Sequence, residues 1–427
     1  MEQLIIEPVT HAEGEIQLPG SKSLTNRALL LAALATGETR LHNLLNSADT
    51  ERMLEALNQL AVPLETNHQA AECLVTGQGR PFTPPNEMSF FLGNAGTAIR
   101  PLTSILSLCQ GTFLIDGDEY MRERPIEHLI EALNQLGVKT EYLGKHGCPP
   151  VRLHGGTLKG GKVSVKGNIS SQYLTALLMT LPLAREDSEI TVIGEQVSKP
   201  YLDITLDIME KFGVHASHDN YQLFKVPGGQ QYTSPGDYLI EGDASSASYF
   251  FAAAAIKGGT IRVNGLGRDS VQGDIGFLDV MEAMGATVTR TDNWIEVTGG
   301  ELRPVDMDLN HIPDAAMTVA MVALFAKGKS RISNIYNWRV KETDRMTAMA
   351  TELRKLGAII TTGEDFIEIE PPEELQPATI DTYGDHRMAM CFSLAALGSS
   401  PVTINDPGCV DKTFPTYFTL FNQVTQR

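Results

Sequence analysis

The stretch Glu241-Gly242-Asp243-Ala244-Ser245-Ser246-Ala247 ends a strand-like run with a turn and opens an Ala-rich helix. The same succession recurs about every 70 to 75 residues, which indicates a repeated supersecondary unit. Six copies open at Gly20-Ser21-Lys22-Ser23, Gly93-Asn94-Ala95-Gly96-Thr97, Gly167-Asn168-Ile169-Ser170-Ser171, Gly242-Asp243-Ala244-Ser245-Ser246, His311-Ile312-Pro313-Asp314 and Gly384-Asp385-His386-Arg387.

A second marker closes a helix in five of the units. A small residue follows the helix-like stretch, and in four of the five it is Gly, which ends a helix without a Cβ penalty. The five positions are Ala61, Gly137, Gly213, Gly285 and Gly357, spaced 76, 76, 72 and 72 residues apart. Each unit is therefore predicted to hold strands and two helices, which makes the fold α/β or α+β. Three units per half predict two similar lobes, with a break at Ser234-Pro235-Gly236-Asp237.

Composition narrows the class of protein. The chain has 427 residues, is 42% hydrophobic and carries a formal charge of −18, which argues against nucleic acid and anionic membranes as partners. We expect no transmembrane segment and no targeting peptide, because the longest apolar runs are short and the N-terminus reads as a strand. The five cysteines are scattered without metal-ligand spacing, so we expect reduced thiols, a cytoplasmic location, no metal and no cofactor.

Basic residues lie in or beside the predicted helix starts. A helix N-terminus carries a partial positive charge and free N–H groups, so it favours anions. In a chain this acidic, cations at helix starts predict small ligands with several negative charges. They are Lys22, Arg27, Arg100 and Arg387 in or after the turns, and Arg124, Lys341, Arg345 and Lys412 on intervening loops.

The motifs around these cations resemble those of the 5-enolpyruvylshikimate-3-phosphate synthase family along essentially the whole chain. The stretch Leu18-Pro19-Gly20-Ser21-Lys22-Ser23-Leu24-Thr25-Asn26-Arg27 lacks the spacing of a Walker P-loop and is similar to the family's first motif. Further matches are Leu92-Gly93-Asn94-Ala95-Gly96-Thr97-Ala98-Ile99-Arg100-Pro101, Arg122-Glu123-Arg124-Pro125, Ser170-Ser171-Gln172, Ser198-Lys199-Pro200-Tyr201, Glu241 to Ala247, Pro313-Asp314-Ala315, Asn337 to Arg345 and Asp385-His386-Arg387-Met388-Ala389.

The resemblance implies a fold and a domain division. It implies two lobes, each of three βαβαββ units in an inside-out α/β barrel, with the active site in the cleft between the lobes. Residues 1–20 and 241–427 would form the C-terminal lobe, and residues 21–240 the N-terminal lobe.

The resemblance also implies the activity and the residues that serve it. The family transfers the enolpyruvyl group of phosphoenolpyruvate to the 5-hydroxyl of shikimate 3-phosphate and releases phosphate. The implied shikimate 3-phosphate site is Lys22, Ser23, Arg27, Ser170, Ser171, Gln172, Ser198, Tyr201, Asp314, Asn337 and Lys341. The implied phosphoenolpyruvate site is Lys22, Asn94, Gly96, Thr97, Arg124, Gln172, Arg345, His386, Arg387 and Lys412.

The chemistry needs a base for the 5-hydroxyl and an acid for the methylene carbon, for which carboxylates are natural candidates. By resemblance Asp314 is the base and Glu342 the proton donor, while Lys22 stabilises charge or shares in proton transfer. The resemblance, through Gly96, Thr97 and Pro101, further implies inhibition by glyphosate, and it implies a monomer.

Taken alone, several of these residues have structural interpretations. Asp314, Ser170 and Ser171 could be helix caps, and Lys341 and Arg345 could lie on a solvated helix face. His386 could be structural, Trp338 could be a buried support for its loop, and Cys409 a small loop residue.

Two other functions stay open at this point. One is the sister enolpyruvyl transferase that uses UDP-N-acetylglucosamine, whose reactive Cys is missing from Asp116-Gly117-Asp118-Glu119-Tyr120-Met121-Arg122 and whose first motif has Lys-Asn where this chain has Lys22-Ser23. The other is a ring-shaped DNA clamp, which would need basic residues along its helices and not in their entry turns.

Overall fold

The computed structural model describes residues 2–426. Contacts divide the chain into two compact units. The contiguous unit is Gly20–Ile240, and the split unit joins the segment that ends at Pro19 to the segment that begins at Glu241. No helix within residues 2–426 is both long and apolar enough to span a membrane.

The split unit begins with three short strands before the chain enters the contiguous unit. They are β1 (Gln3–Ile6), β2 (His11–Ala12) and β3 (Gly14–Gln17).

The contiguous unit holds six helices and twelve strands. In chain order they are α1 (Lys22–Leu34), β4 (Thr36–His42), α2 (Ala48–Gln59), β5 (Leu64–Asn67), β6 (Glu72–Gln78), β7 (Glu87–Phe91), α3 (Gly96–Leu106), β8 (Gly111–Asp116), α4 (Glu127–Gln135), β9 (Lys139–Tyr142), β10 (Val151–Gly155), β11 (Gly161–Lys166), α5 (Ser171–Thr180), β12 (Ser188–Ile193), α6 (Pro200–Lys211), β13 (Ser217–Asp219), β14 (Leu223–Val226) and β15 (Asp237–Leu239).

These strands form three sheets of four strands, ordered β15-β4-β6-β5, β7-β8-β10-β9 and β11-β12-β14-β13. In each sheet the first pair is parallel and the other two pairs are antiparallel. The second and third sheets are βαβαββ units in chain order. The first is not, because its leading strand β15 is supplied by the end of the unit.

The returning chain completes the split unit. Its elements are α7 (Ala244–Lys257), β16 (Thr260–Asn264), α8 (Phe277–Met284), β17 (Thr287–Arg290), β18 (Trp294–Thr298), β19 (Asp306–Asp308), α9 (Ala316–Ala323), β20 (Ser330–Ser333), α10 (Arg345–Lys355), β21 (Ile359–Thr362), β22 (Ile367–Glu370), β23 (Ala378–Ile380), α11 (His386–Ser393), β24 (Val402–Asn405), α12 (Tyr417–Val424) and β25 (Thr425–Gln426).

The split unit has two sheets of four strands, ordered β17-β18-β16-β3 and β19-β20-β22-β21, and one of three strands, ordered β1-β24-β23. Strands β2 and β25 form a separate pair. The strands before Pro19 fill places in two of the three sheets, since β3 lies parallel to β16 and β1 antiparallel to β24. The last repeat therefore ends in a three-stranded sheet and not in the full βαβαββ pattern.

The predicted α/β class and its repeated units are confirmed. The sheets are small and open, and none within residues 2–426 closes into a barrel. All five helix-ending positions adopt positive φ, from 57° at Ala61 to 111° at Gly285, as the repeat predicted. Helix α7 shows how such turns begin and end a helix. The side chain of Asp243 accepts from the Ser246 N–H at 2.9 Å at its start, and Gly258 ends it with φ 81°.

Candidate functional site

The densest set of charges in the split unit centres on Arg345, the first residue of α10, whose side chain is 1% exposed. Its Nη1 donates to Asp314 Oδ1 at 2.8 Å and its Nη2 to Glu342 Oε2 at 2.9 Å. Its Nε donates to Asp385 Oδ2 at 2.7 Å. Burial alone would lower the pKa of Arg345, but the three carboxylates outweigh it and raise that pKa. One guanidinium thus orients three acids.

Asp314 receives two further cations. Arg387 Nη2 donates to its Oδ2 at 2.9 Å, and Lys341 Nζ lies 3.5 Å from its Oδ1. Although burial opposes the charged form, Arg387, Lys341 and Arg345 hold the pKa of Asp314 well below its usual value. Burial lowers the pKa of Lys341, against the attraction of Asp314. The structure therefore brings together five of the predicted site residues: Asp314, Lys341, Glu342, Arg345 and Arg387.

The other predicted residues of the split unit lie near helix starts or in short 3₁₀ segments. His386 is the first residue of α11, and its Nδ1 lies 3.5 Å from Asp385 Oδ1. Asn337 is buried in the 3₁₀ segment Tyr336–Val340, and Lys412 ends the segment Pro407–Lys412. Trp338 is fully buried and donates from Nε1 to Pro313 O at 2.7 Å, so it supports the turn that carries Asp314.

In the contiguous unit, Arg27 of α1 is buried among uncharged groups. It donates to Thr205 Oγ1 at 3.0 Å, Ser23 O at 2.9 Å and Tyr201 O at 3.4 Å. Burial lowers the pKa of Arg27 to about 10. At neutral pH it remains a cation held by neutral oxygens. Lys22, at the start of the same helix, lies 3.6 Å from Asp49 Oδ2.

Helices α3 and α5 pack together and bring a second group of predicted residues into one place. Arg100 Nη1 donates to Gln172 Oε1 at 2.5 Å and its Nη2 to Pro125 O at 2.9 Å. Arg124 Nη1 donates to Asn94 Oδ1 at 2.7 Å.

Gly96 is the first residue of α3 and lies against these guanidinium groups. A Cβ at Gly96 would lie 2.6 Å from Arg100 Nη1 and 2.9 Å from Arg124 Nη2. Thr97 follows it and accepts from Asn26 Nδ2 at 2.7 Å. Both residues thus stand where an N-terminal helix turn meets two cations.

The predicted serines take different positions. Ser170 is the N-cap of α5, and its Oγ accepts from Gln172 N at 3.2 Å, while Ser171 is buried as the first residue of that helix. Ser198 precedes α6 and holds a φ of 54°, a left-handed conformation that is unusual for a residue with a side chain. Such a conformation persists only where the surrounding structure imposes it, here just before the helix that carries Tyr201 and Thr205.

The structure decides several of the structural interpretations offered for single residues. Ala315, not Asp314, is the N-cap of α9, and the carboxylate of Asp314 is used for ion pairs. Lys341 and Arg345 do not lie on a solvated face, because Arg345 is buried and Lys341 is only 22% exposed. Burial raises the pKa of Cys409 to about 12, which opposes a nucleophilic role.

The sequence pattern did not select two residues that complete the group around Asp314. Asp385 caps α11 and orients Arg345, and Tyr249 accepts from Arg387 Nη1 at 3.1 Å. Asp385 lies inside a motif already noted, two residues before Arg387, so its position was an available signal. Tyr249 lies in an apolar helix, and no sequence signal marked it as a site residue. Among residues 2–426 no set of three or more His, Cys, Asp or Glu side chains is arranged to hold a metal ion.

Comparison with known proteins identifies the family. The family model described as EPSP synthase (3-phosphoshikimate 1-carboxyvinyltransferase) matches residues 6–421. A 3-phosphoshikimate 1-carboxyvinyltransferase of Tolumonas auensis is 59% identical over 428 residues, covering 100% of both chains. One of Aliivibrio fischeri is 57% identical over 418 residues, covering 98% of each chain.

A solved structure gives the same result for the fold. EPSP synthase from Acinetobacter baumannii superposes with a TM-score of 0.84 at 26% identity, covering 100% of this chain and 98% of that one. The match extends over both units and over every motif described above. The chain belongs to the EPSP synthase (3-phosphoshikimate 1-carboxyvinyltransferase) family.

Proposed function

We propose that this chain transfers the enolpyruvyl group of phosphoenolpyruvate to the 5-hydroxyl of shikimate 3-phosphate and releases phosphate, as a step of the shikimate pathway. The family and the names of its relatives support this activity over transfer to UDP-N-acetylglucosamine. The structural observation that supports this activity is the position of Asp314, whose carboxylate is paired with Arg345, Arg387 and Lys341. A base fixed among cations suits a reaction in which a hydroxyl loses its proton beside anionic substrates.

The proposed roles follow the chemistry of each group. Phosphoenolpyruvate carries a carboxylate and a phosphate, for which planar guanidinium groups and helix N-termini are good partners. Its proposed site is Lys22, Asn94, Gly96, Thr97, Arg124, Gln172, Arg345, His386, Arg387 and Lys412. Shikimate 3-phosphate carries a phosphate, a carboxylate and hydroxyls, and its proposed site is Lys22, Ser23, Arg27, Ser170, Ser171, Gln172, Ser198, Tyr201, Asp314, Asn337 and Lys341.

The charges around Asp314 explain how substrates would help the base. Without ligand, its neighbouring cations keep the pKa of Asp314 low, so it is a weak proton acceptor. Phosphoenolpyruvate bound to Arg345 and Arg387 brings negative charge that offsets this pull and raises the basicity of Asp314. Proton transfer is then favoured only when both substrates are present. Glu342, held by Arg345 at 2.9 Å, is the proposed proton donor to the methylene carbon. Lys22 stabilises the developing charge.

Protonation of the methylene carbon and addition of the 5-hydroxyl oxygen at the enol carbon give a tetrahedral intermediate that carries a methyl group. Loss of phosphate, together with one proton of that methyl group, gives the enol ether. In this proposal the enzyme acts without a cofactor, as a monomer in the cytoplasm, and without nucleic acid or membrane partners. Glyphosate, a small anion, is proposed to compete at the phosphoenolpyruvate site around Gly96.

The activity is tested by phosphate release with phosphoenolpyruvate and either acceptor. Phosphate release that requires shikimate 3-phosphate as the acceptor supports the proposal. Release that occurs only with UDP-N-acetylglucosamine as the acceptor refutes it. Asp314→Asn should lower kcat by about 10²- to 10⁴-fold, the usual contribution of a general base. Asp279→Asn is the matched control, because Asp279 accepts from Arg290 at 2.7 Å but is 78% exposed. A kcat for Asp314→Asn equal to that of the control would remove Asp314 from this role.

A further inference from the structure

A carboxylic acid outside the predicted site lies beside the Asp314 group. Asp274 belongs to the 3₁₀ segment Gly273–Gly276 and is 6% exposed. Its Oδ2 accepts from Ser245 Oγ, and its Oδ1 is buried without a hydrogen-bond partner among residues 2–426. Asp274 also forms no ion pair with any described residue. A buried carboxylate with one hydroxyl donor and no cation is costly, so this acid favours its neutral form.

The charged groups around Asp274 act in both directions. Asp314 and Asp243, the cap of α7, are acids that disfavour a further negative charge, whereas Arg387 on α11 is a cation that favours it. His311 packs against Gly276 of the same segment, and on α8 the acids Asp279 and Glu282 pair with Arg290. Burial, with the charge of Asp314, raises the pKa of Asp274 to about 7. Its ionisation therefore falls within the range in which enzymes are assayed.

A short path connects Asp274 to the cation of the proposed phosphoenolpyruvate site. Ser245 and Tyr249 are one turn apart on α7, so they lie on the same face of that helix. Tyr249 OH accepts from Arg387 Nη1 at 3.1 Å, and Arg387 donates to Asp314. Asp274 fixes the first turn of α7 through Ser245, and α7 in turn positions Arg387.

We propose that Asp274 is a positioning residue for Arg387, that it works as a neutral carboxyl, and that its ionisation weakens the binding of phosphoenolpyruvate. This inference rests on the proposed role of Arg387 in that binding. Asp314 already places one carboxylate on Arg387, and Asp274 in its neutral form adds no further negative charge. When Asp274 ionises, a second carboxylate reduces the positive potential that the anionic substrate meets.

The test is the KM for phosphoenolpyruvate at saturating shikimate 3-phosphate, measured from about pH 6 to 9 for the parent and for Asp274→Asn. Asn mimics the neutral acid and cannot ionise. The parent and Asp274→Asn should have equal KM at the acid end. At the alkaline end the parent KM should exceed that of Asp274→Asn by about three- to tenfold, with kcat within about twofold. A ratio that stays flat with pH overturns the proposal. So does a KM for Asp274→Asn that is raised at every pH in a protein with the parent Tm, because the ionised acid would then be the working form.

Ser245→Ala gives a second test that does not depend on the folding of Asp274→Asn. The Ser245 hydroxyl donates to the carboxyl and favours its charged form, so its removal should move the rise in KM to higher pH. An unchanged position of that rise refutes the coupling.

Arg387→Lys separates the two hypotheses, since Lys cannot reproduce the paired contacts of a guanidinium. If Arg387→Lys leaves the KM for phosphoenolpyruvate unchanged, the proposed substrate site is wrong. If it raises that KM while the parent and Asp274→Asn respond identically to pH, only the inference about Asp274 fails.

Discussion

The two units hold their buried guanidinium groups in opposite ways. In the split unit, Arg345 is surrounded by Asp314, Glu342 and Asp385, which raise its pKa. In the contiguous unit, Arg27 is buried among hydroxyl and carbonyl oxygens, and burial lowers its pKa to about 10. In the first arrangement the charge of the guanidinium is balanced by acids, which it fixes in place. In the second the charge is held only by neutral oxygens, which would suit the proposed binding of an anion.

The largest expected effect is on the folding of the split unit. Arg345→Met removes the buried cation shared by three acids, of which Asp385 is fully buried, so the free energy of unfolding should fall by about 3–5 kcal/mol. Urea denaturation measures the loss. Arg290→Met is the control, because Arg290 also pairs with two acids, Asp279 and Glu282, but at the surface, where the cost should stay below about 1 kcal/mol. Equal losses for the two variants would end the distinction between buried and exposed pairs.

Arg27→Met should behave in the opposite way. Removing a buried cation that lacks a carboxylate partner relieves a desolvation cost, and the lost hydrogen bonds offset the gain, so the unfolding free energy should stay within about 1 kcal/mol of the parent. Affinity for shikimate 3-phosphate should fall by about 10- to 100-fold, the value of a hydrogen bond to a charged group. Urea denaturation measures the unfolding free energy, and calorimetric titration of the same sample measures the affinity for shikimate 3-phosphate. A variant that unfolds easily yet binds normally would reverse the comparison.

The guanidinium groups of Arg100 and Arg124 lie so close to Gly96 that a small intrusion there should displace them. Gly96→Ala places a methyl against Arg100 and Arg124 and should raise the KM for phosphoenolpyruvate by about tenfold, with a smaller change for shikimate 3-phosphate. Gly408→Ala is the control, because a Cβ there meets no atom within 4 Å. Equal effects on both substrates would show that the methyl distorts the helix and not one anion site.

The contiguous unit has one histidine between two acids at its surface, and its effect should be the smallest. His42 lies 2.7 Å from Asp237 and 2.9 Å from Glu72, and these hydrogen bonds raise its pKa. The stabilisation is therefore complete below the ordinary value of 6.5 and is lost as pH rises through the raised pKa. Below that value His42→Gln should be less stable than the parent by at most about 1 kcal/mol, since the group is partly exposed.

The comparison is made by thermal denaturation from about pH 5 to 9, with His11→Gln as an exposed control. The difference between the parent and His42→Gln should shrink toward alkaline pH. A difference that grows with pH would contradict the assignment.

The sequence predicted the repeats well because their signals are local. A turn before a helix and a small residue after it act through backbone conformation, and positive φ at Gly137 and Gly213 follows from their type. The exchange of strands was not predictable this way. Whether β15 or another strand leads the first sheet depends on pairing between residues about 200 positions apart, for which no local pattern exists.

In the candidate site, too, the residues of local motifs were predictable, and those whose environment comes from distant elements were not. The motif that contains Lys341, Glu342 and Arg345 was visible in the sequence, and the structure places these residues around Asp314. Asp274 was not identified, because an acid in a loop looks alike whether it is solvated or buried. Its environment is formed by elements distant in sequence, α7 and α11, which only folding brings to it.

The pairing of β1 with β24 also has a consequence for the order in which the molecule can assemble on the ribosome. Gln3 meets Asn405, 402 positions later, whereas the contiguous unit has all its strands once β15 has emerged. The first strand synthesised is thus among the last to find its partner. Until then β1 presents an open edge to the cell, and unpaired strand edges expose a nascent chain to aggregation and make it depend on chaperones.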